Sequence, residues 1–338
     1  MKGAIFAACL FFAVVFSHAQ DCGDVIRFLE ANEVRPLDFI TLHNGAWRLL
    51  LLNDTPIDAY YALLGLGVAI EPDLPEGDIL LVSAISHNNA DAVGFFLRRG
   101  ANPNQQGRFG VTPLQVAARD SGNSEIFQLL LNAGAQVNPT EYDSSFGSPF
   151  ELILRRNSAE LTRLFINAGA DVRRISGSGS SPMEFAAGNV SDPEIFRLLI
   201  DAGASVTSRG AGGRTPLHRA AGTSRVTNVA LLIELGADID AADEQGLTPL
   251  MLASSIYGNM EILINAGADV NIQSNEGKTA LMFSARFGFD PRAISILLDA
   301  GADARLEDNA GRTALDWLDL NRRLYRHPIR RDLRDRTL

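Results

Sequence analysis

The 338-residue sequence contains only two cysteines, Cys9 and Cys22, and only two lysines, Lys2 and Lys278. Loss of Cys9 with a leader segment would leave no pair for a disulfide within the chain, so stability must come from packing. Cys22 is then an incidental thiol or, alternatively, half of an intermolecular disulfide. We attribute the preference for arginine over lysine to genome composition.

Histidine is also scarce. Beyond residue 19 it occurs at four isolated positions, none with a second metal ligand at helical spacing: His43, His87, His218 and His327. A metal site needs several such ligands close together. The glycines near Gly65 and Gly210 lack the strand-to-helix context of a dinucleotide site. The sequence therefore predicts no metal, no cofactor and no catalytic residue, and an enzyme is the weakest functional hypothesis.

Long apolar runs are limited to the first residues. The run from Ala4 to Phe16 is shorter than the roughly 20 residues that span a bilayer. It follows a lysine and precedes the small residues Ser17 and Ala19, a pattern typical of an export signal. We expect residues 1–19 to be a signal peptide and the mature protein to have no stable membrane span. We expect the periplasm as its destination, with the extracellular space second. A membrane anchor is the competing interpretation.

Negative charge dominates the chain. The net charge is -10, and it becomes -11 once Lys2 is removed with the signal. Seven arginines and two aspartates between Arg322 and Arg336 give that segment +5, so residues 20–321 carry -16. An acidic body argues against non-specific binding of nucleic acid. The basic C-terminal tail, residues 322–338, is expected to act as a frayed capping helix.

A helix-start signal recurs at intervals of 31 to 36 residues. It consists of threonine or serine, then proline or alanine, then an apolar residue, and it begins at Thr112, Ser148, Ser181, Thr215, Thr248, Thr279 and Thr313. The hydroxyl accepts a hydrogen bond from an amide one turn into the helix, and proline at the first helical position loses no hydrogen bond. A helix-end signal of glycine then alanine keeps the same rhythm, at Gly100, Gly134, Gly169, Gly203, Gly236, Gly267 and Gly301. Each unit is therefore predicted to be turn, helix, loop, helix.

The most regular unit reads Thr-Pro-Leu-His-Arg-Ala from Thr215 to Ala220, with Gly236-Ala237-Asp238 at the expected distance. In this pattern the chain resembles the ankyrin repeat family, most clearly over residues 77–317. The resemblance implies an all-α solenoid of about eight helix-turn-helix units with β-turn fingers. Fingers and first helices would together line a concave surface. It also implies that His218 ties neighbouring units together, a structural role that we prefer to catalysis.

The resemblance also divides the chain. We expect an N-terminal helical cap at residues 20–44 and the repeat array at 45–321, with degenerate units at its start. The finger at residues 139–146 lies in a unit with 14 residues between its landmarks where the others have 12, so it should protrude. The unit from Thr248 to Gly267 spans 19 residues where its neighbours use 21 or 22, which predicts one helix shorter by about half a turn.

In the family, partners contact the fingers and the exposed ends of the first helices. Arginine and aromatic residues, which dominate interface energies, occur at such positions here. They are Arg108, Phe109, Arg119, Tyr142, Phe146, Arg155, Arg156, Arg214, Arg286 and Phe287. We expect them to bind a protein partner with an acidic patch, the chain itself being a monomer. Alternatively, the arginines are only solvated and the aromatics pack on their own turns.

These observations favour a non-catalytic protein-binding module of a bacterial cell envelope. It would hold one folded partner on its concave face, as an inhibitor or a protective partner of an envelope enzyme or toxin. A secreted effector that binds a host protein is one alternative. Another is a structural scaffold whose basic tail contacts anionic lipid.

Overall fold

The computed structural model describes residues 80–107, 110–139, 147–177 and 179–337. These ranges contain sixteen α-helices and no β-strand. The helices are α1 (Leu80–Ser86), α2 (Ala90–Arg98), α3 (Pro113–Asp120), α4 (Ser124–Asn132), α5 (Pro149–Arg155), α6 (Ala159–Asn167), α7 (Pro182–Asn189), α8 (Pro193–Asp201), α9 (Pro216–Ala221), α10 (Val226–Glu234), α11 (Pro249–Leu252), α12 (Tyr257–Asn265), α13 (Ala280–Phe287), α14 (Pro291–Asp299), α15 (Ala314–Asp319) and α16 (Ile329–Thr337). The expected signal peptide, the N-terminal cap and most of the long finger lie outside the described residues.

The described residues fall into two compact units, one up to residue 152 and the other from residue 153. In the described part of the first unit, α1 packs on α2 and α3, and α4 packs on α2 and α3. Its core is aromatic: the rings of Phe95 and Phe96 meet edge to face with centroids 5.5 Å apart, and Phe127 is fully buried. Such aromatic pairs add to the stability that burial alone provides.

Two layers of helices build the second unit. The first helices of successive repeats, α7, α9, α11, α13 and α15, each pack on the next. The second helices do the same from α10 through α12 and α14 to α16, and α6 packs on α8. One helix pair cannot bury its own apolar face, so each repeat depends on its neighbours. The predicted stack of helix pairs is present in this unit.

The helix starts and ends follow the sequence signals. Ser181 accepts a hydrogen bond from the amide of Glu184 at 3.1 Å, and Thr279 accepts one from the amide of Met282 at 3.3 Å. Caps of this kind stabilise a helix by about 1 kcal/mol each. After the second helices, glycine takes the left-handed conformation, as at Gly134 with φ 90°.

In the short unit from Thr248 to Gly267, the missing residues come from the first helix. α11 has 4 residues, against 6 in the preceding α9 and 8 in the following α13, whereas its partner α12 keeps the 9 residues of the other second helices. The predicted deficit therefore falls where the first helices line the surface.

A single row of backbone hydrogen bonds joins the fingers of the second unit. The amide of Glu244 donates to the carbonyl of Gly212 at 2.9 Å, and the amide of Asn275 donates to the carbonyl of Gln245 at 3.0 Å. The same bond occurs on either side of these two fingers, at Ala211 and at Asn309. Each finger is thus held by the one before it.

The basic tail contains a packed helix. α16 buries Ile329 and Leu333 against α14 and α15, and the Arg336 guanidinium donates to the carbonyl of Leu298 at 2.9 Å. This helix covers the apolar end of the last repeat. Among the helices that the structure describes, none is both long and apolar enough to cross a membrane.

Candidate protein-binding surface

Four of the ten predicted binding residues, Arg108, Phe109, Tyr142 and Phe146, lie outside the described residues. Arg119 belongs to the first unit, at the end of α3, where its Nε lies 2.7 Å from a carboxylate oxygen of Asp120. The hydrogen bond to Asp120 raises the pKa of the Arg119 guanidinium. Its charge is already engaged within the chain.

Arg155 presents its charge differently. It ends α5 and is exposed, with its guanidinium carbon 5.0 Å from the centroid of the Phe185 ring on α7. The contact is a cation–π interaction, which fixes the side chain without neutralising it. It forms no ion pair with any residue in the described ranges. Arg156, beside it, is half-buried.

Arg214 supports a finger. Its Nε lies 3.4 Å from the carboxylate of Asp243, whose side chain is buried. The other oxygen of Asp243 accepts hydrogen bonds from the amides of Gln245 and Leu247, both at 2.9 Å. Arg214 therefore completes the hydrogen bonding of the Asp243–Gly246 turn, an arrangement that sequence alone did not assign to it.

Arg286 and Phe287 lie together at the end of α13, on one wall of an open cleft. We call it the terminal cleft. Its volume is about 570 Å³, and it is lined by Ser255, Arg286, Phe287, Gly288, Phe289, Leu320, Asn321, Arg322 and Arg323. Sequence reasoning missed Phe289, Leu320 and the two arginines. The available signal was Phe289, a large apolar residue in a loop two positions after Phe287.

His218 has a structural environment. It is 1% exposed, and its two ring nitrogens contact the start of its own helix and the next finger. Burial lowers the pKa of the imidazole, which favours the neutral ring. The predicted structural role fits these contacts.

A buried carboxylate that the sequence did not reveal occupies the equivalent position one repeat earlier. Glu184 is 1% exposed; its Oε1 lies 3.3 Å from the guanidinium of Arg219, and its Oε2 has no hydrogen-bond partner in the described ranges. Burial raises the pKa of this carboxyl. A perturbed carboxyl is a catalytic candidate only beside room for a substrate. Here a Cβ on Gly210 would lie 1.9 Å from Oε2, so the site is closed.

Clusters of three or more metal-binding side chains are not found within the described ranges.

Comparison with known proteins agrees with this architecture. The family model described as "Ankyrin repeats (3 copies)" matches residues 49–141, 209–274 and 250–321, together more than half of the chain. A protein of Rickettsia bellii that is named as an ankyrin repeat protein is 27% identical over 151 residues, which are 43% of this chain. The matched region is 41% of that relative's own length. Ankyrin repeats are protein–protein interaction modules, and this chain belongs to the ankyrin repeat family.

Proposed function

We propose that this protein is an exported, non-catalytic binding protein of the bacterial cell envelope, which holds one folded partner on its fingers and first helices. The observation that carries the proposal is the surface at the first-helix ends of the second unit. Arg155 is exposed there without a carboxylate partner in the described ranges, and Phe287 is 53% exposed beside Arg286. Arginine and large aromatic side chains are the types that carry most interface energy.

The proposed mechanism is steric. Capped helices and mutually bonded fingers give a surface that is already formed before binding, so little ordering entropy is lost on association. A rigid surface of this kind can cover an active site or a toxic surface. We propose that the partner is an envelope enzyme or toxin, which the protein inhibits or protects.

Cell fractionation tests the location. The protein expressed from the full sequence with a C-terminal tag should appear in the periplasm, and its mass should be lower by the mass of residues 1–19. Full-length protein in the cytosol would contradict the proposal. Recovery from the medium would favour a secreted effector that binds a host protein. Membrane association that disappears on deletion of residues 322–338 would favour a scaffold on anionic lipid.

Capture from an envelope extract, followed by mass spectrometry, should identify the partner. Its affinity is then measured for wild type, for Arg155→Glu and for the matched control Arg197→Glu, which reverses an exposed arginine on the second-helix layer. We expect Arg155→Glu to weaken binding by about tenfold or more and wild-type affinity to fall with added salt. Equal affinity of both variants, or affinity indifferent to salt, would argue against this surface.

A further inference from the structure

The terminal cleft concentrates the exposed apolar side chains of the described residues. Six large hydrophobic side chains are exposed in the described ranges, and three of them line this one cleft: Phe287 at 53%, Phe289 at 61% and Leu320 at 53%. Single exposed apolar residues are ordinary on a protein surface, but a cluster in a concave site is typical of a binding surface. The cleft is therefore suited to an apolar side chain of a ligand.

Positive charge surrounds these apolar groups. Arg286, Arg322 and Arg323 line the same cleft, and none of them forms an ion pair within the part of the chain that the structure describes. The carboxylates close to these arginines in sequence form ion pairs with other residues. Asp290 pairs with Arg292 and Asp319 pairs with Arg330, each with 2.6 Å between nitrogen and oxygen. The uncompensated cations therefore favour an anionic group on the occupant.

The arginine heads are held by contacts that leave their charge in place. The guanidinium of Arg323 stacks 4.4 Å from the centroid of the Phe289 ring. That of Arg286 lies 5.4 Å from the centroid of the Phe287 ring and donates to the carbonyl of Leu320 at 3.2 Å. A stacked guanidinium keeps in-plane N–H donors, which suit a carboxylate.

The floor of the cleft is fixed before any ligand arrives. The buried amide of Asn321 donates to the carbonyls of Ala285 at 2.9 Å and Gly288 at 3.1 Å. Its oxygen accepts from the amide of Arg323 at 3.0 Å. One side chain thus ties together the loops that carry the two walls, and a preformed site binds with less entropic loss.

We propose that the terminal cleft binds a short extended segment of the partner protein in which a large apolar side chain is flanked by aspartate or glutamate. The apolar side chain would lie among Phe287, Phe289 and Leu320, and the carboxylates would pair with Arg286, Arg322 and Arg323. The volume of about 570 Å³ lies in the range of ligand pockets and suits a few residues, not a folded domain. This inference rests on the proposed protein-binding function and adds the chemistry of the segment bound.

Charge favours this occupant over two others. The whole chain carries -10 although the segment from Arg322 to Arg336 beside the cleft carries +5, so a flat anionic membrane surface or a second copy of the chain would meet an acidic body beyond that segment. A short acidic segment meets only the local positive charge of the cleft. The experiment separates the three occupants.

The probe is a random-peptide display library panned on the purified protein, with counter-selection on the double variant Phe289→Ser, Arg322→Glu. Both residues are exposed, so the variant should retain the wild-type thermal unfolding. We expect enriched peptides to carry Asp or Glu next to Phe, Leu or Ile. A fluorescent copy should bind the double variant at least about tenfold more weakly than wild type. The control Arg197→Glu should bind like wild type.

Several results would overturn the inference. They are no enrichment, enrichment of neutral or basic peptides, and equal binding to the double variant. A wild-type dimer in sedimentation that the double variant abolishes would assign the cleft to a second copy. If wild type floats with phosphatidylglycerol vesicles and the double variant does not, the cleft would be assigned to lipid. If Arg155→Glu weakens binding of the captured partner while the double variant Phe289→Ser, Arg322→Glu does not, the proposed function stands and this inference fails.

Discussion

The imidazole of His218 joins its own repeat to the carbonyl of Leu247 in the next finger, with 2.9 Å between Nε2 and the oxygen. The bond requires the Nε2–H tautomer, which leaves Nδ1 to accept from the amide of Thr215 at 3.1 Å. In the first unit the side chain of Gln115 makes the same two contacts. Its Oε1 accepts from the amide of Thr112, and its Nε2 donates to the carbonyl of Gly147, both at 2.9 Å. In these two repeats the side chain at this position supplies one acceptor and one donor, whereas Met251 and Met282 at the same position supply no such pair.

Two substitutions of His218 should show whether its hydrogen bonds or the packing of its ring stabilise the protein. His218→Ala leaves the buried amide of Thr215 without an acceptor and the carbonyl of Leu247 with only the amide of Asp243, so it should lower the free energy of unfolding by about 2 kcal/mol. His218→Gln supplies the acceptor and the donor, as Gln115 does, and should cost less than about 1 kcal/mol. Urea unfolding of the purified proteins measures both values. Equal losses would show that the ring's packing, not its hydrogen bonds, matters.

The same histidine makes stability depend on pH. Burial lowers its pKa in the folded state below the value near 6.5 of an unfolded chain. The unfolded state therefore binds more protons below that value, and the stabilisation, complete above pH about 6.5, is lost as pH falls through the folded pKa. Wild type should lose stability relative to His218→Gln between pH 7.5 and pH 5. A constant difference over this interval would contradict the argument.

Glu184 should make the free energy of unfolding depend on pH in the opposite direction to His218. Burial raises its folded pKa, so its contribution is most favourable at low pH and is lost as pH rises through the folded pKa. An ionised carboxylate also cannot donate a hydrogen bond as Gln115 and His218 do. We expect Glu184→Gln to stabilise the protein by about 1 kcal/mol at pH 7.5, with a smaller gain at pH 5. The half-exposed Arg219 loses its ion pair, but its guanidinium can remain hydrated after the substitution.

The control for this substitution is Glu194→Gln, which removes one partner of an exposed ion pair with Arg163. Its effect should stay within about 0.5 kcal/mol. A destabilisation by Glu184→Gln at neutral pH would mean that the contact with Arg219 outweighs the burial of charge.

The sequence predicted the repeat architecture because its signals are local. Thr279 and the glycine of each Gly-Ala pair act within one turn of their own helix, so the start and end of each element could be placed without the structure. The terminal cleft could not be predicted, because the surroundings of Phe287 depend on a loop more than 30 residues away that carries Leu320 and Arg322. The engagement of Arg214 by Asp243 was missed for the same reason.

Asn259 should be among the most sensitive polar residues. It is fully buried, and its amide donates to the carbonyls of Ala220, Ala221 and Thr223 in the preceding repeat, at 3.3, 2.9 and 2.6 Å. Asn259→Ala removes this donor from the carbonyls of Ala221 and Thr223, whereas the carbonyl of Ala220 still accepts from Thr223, and it should cost about 2–3 kcal/mol in urea unfolding. The control Asn265→Ala, at the exposed end of the same helix, should change stability by less than about 0.5 kcal/mol. Similar losses in the two variants would show that helix propensity, not the link between repeats, determines the result.

Two glycines with similar backbone angles test whether the fingers couple the repeats. Gly236 has φ 87°, and a Cβ added there would have no heavy atom within 4 Å, whereas Gly246 has φ 71° and a Cβ there would lie 2.7 Å from the backbone nitrogen of Asn275. Gly236→Ala should therefore cost only the left-handed backbone penalty, about 1 kcal/mol. Gly246→Ala adds a clash at the amide that donates to Gln245, and it should cost about 3 kcal/mol in total. Urea unfolding compares the pair, and equal losses would mean that neighbouring fingers move apart without loss of stability.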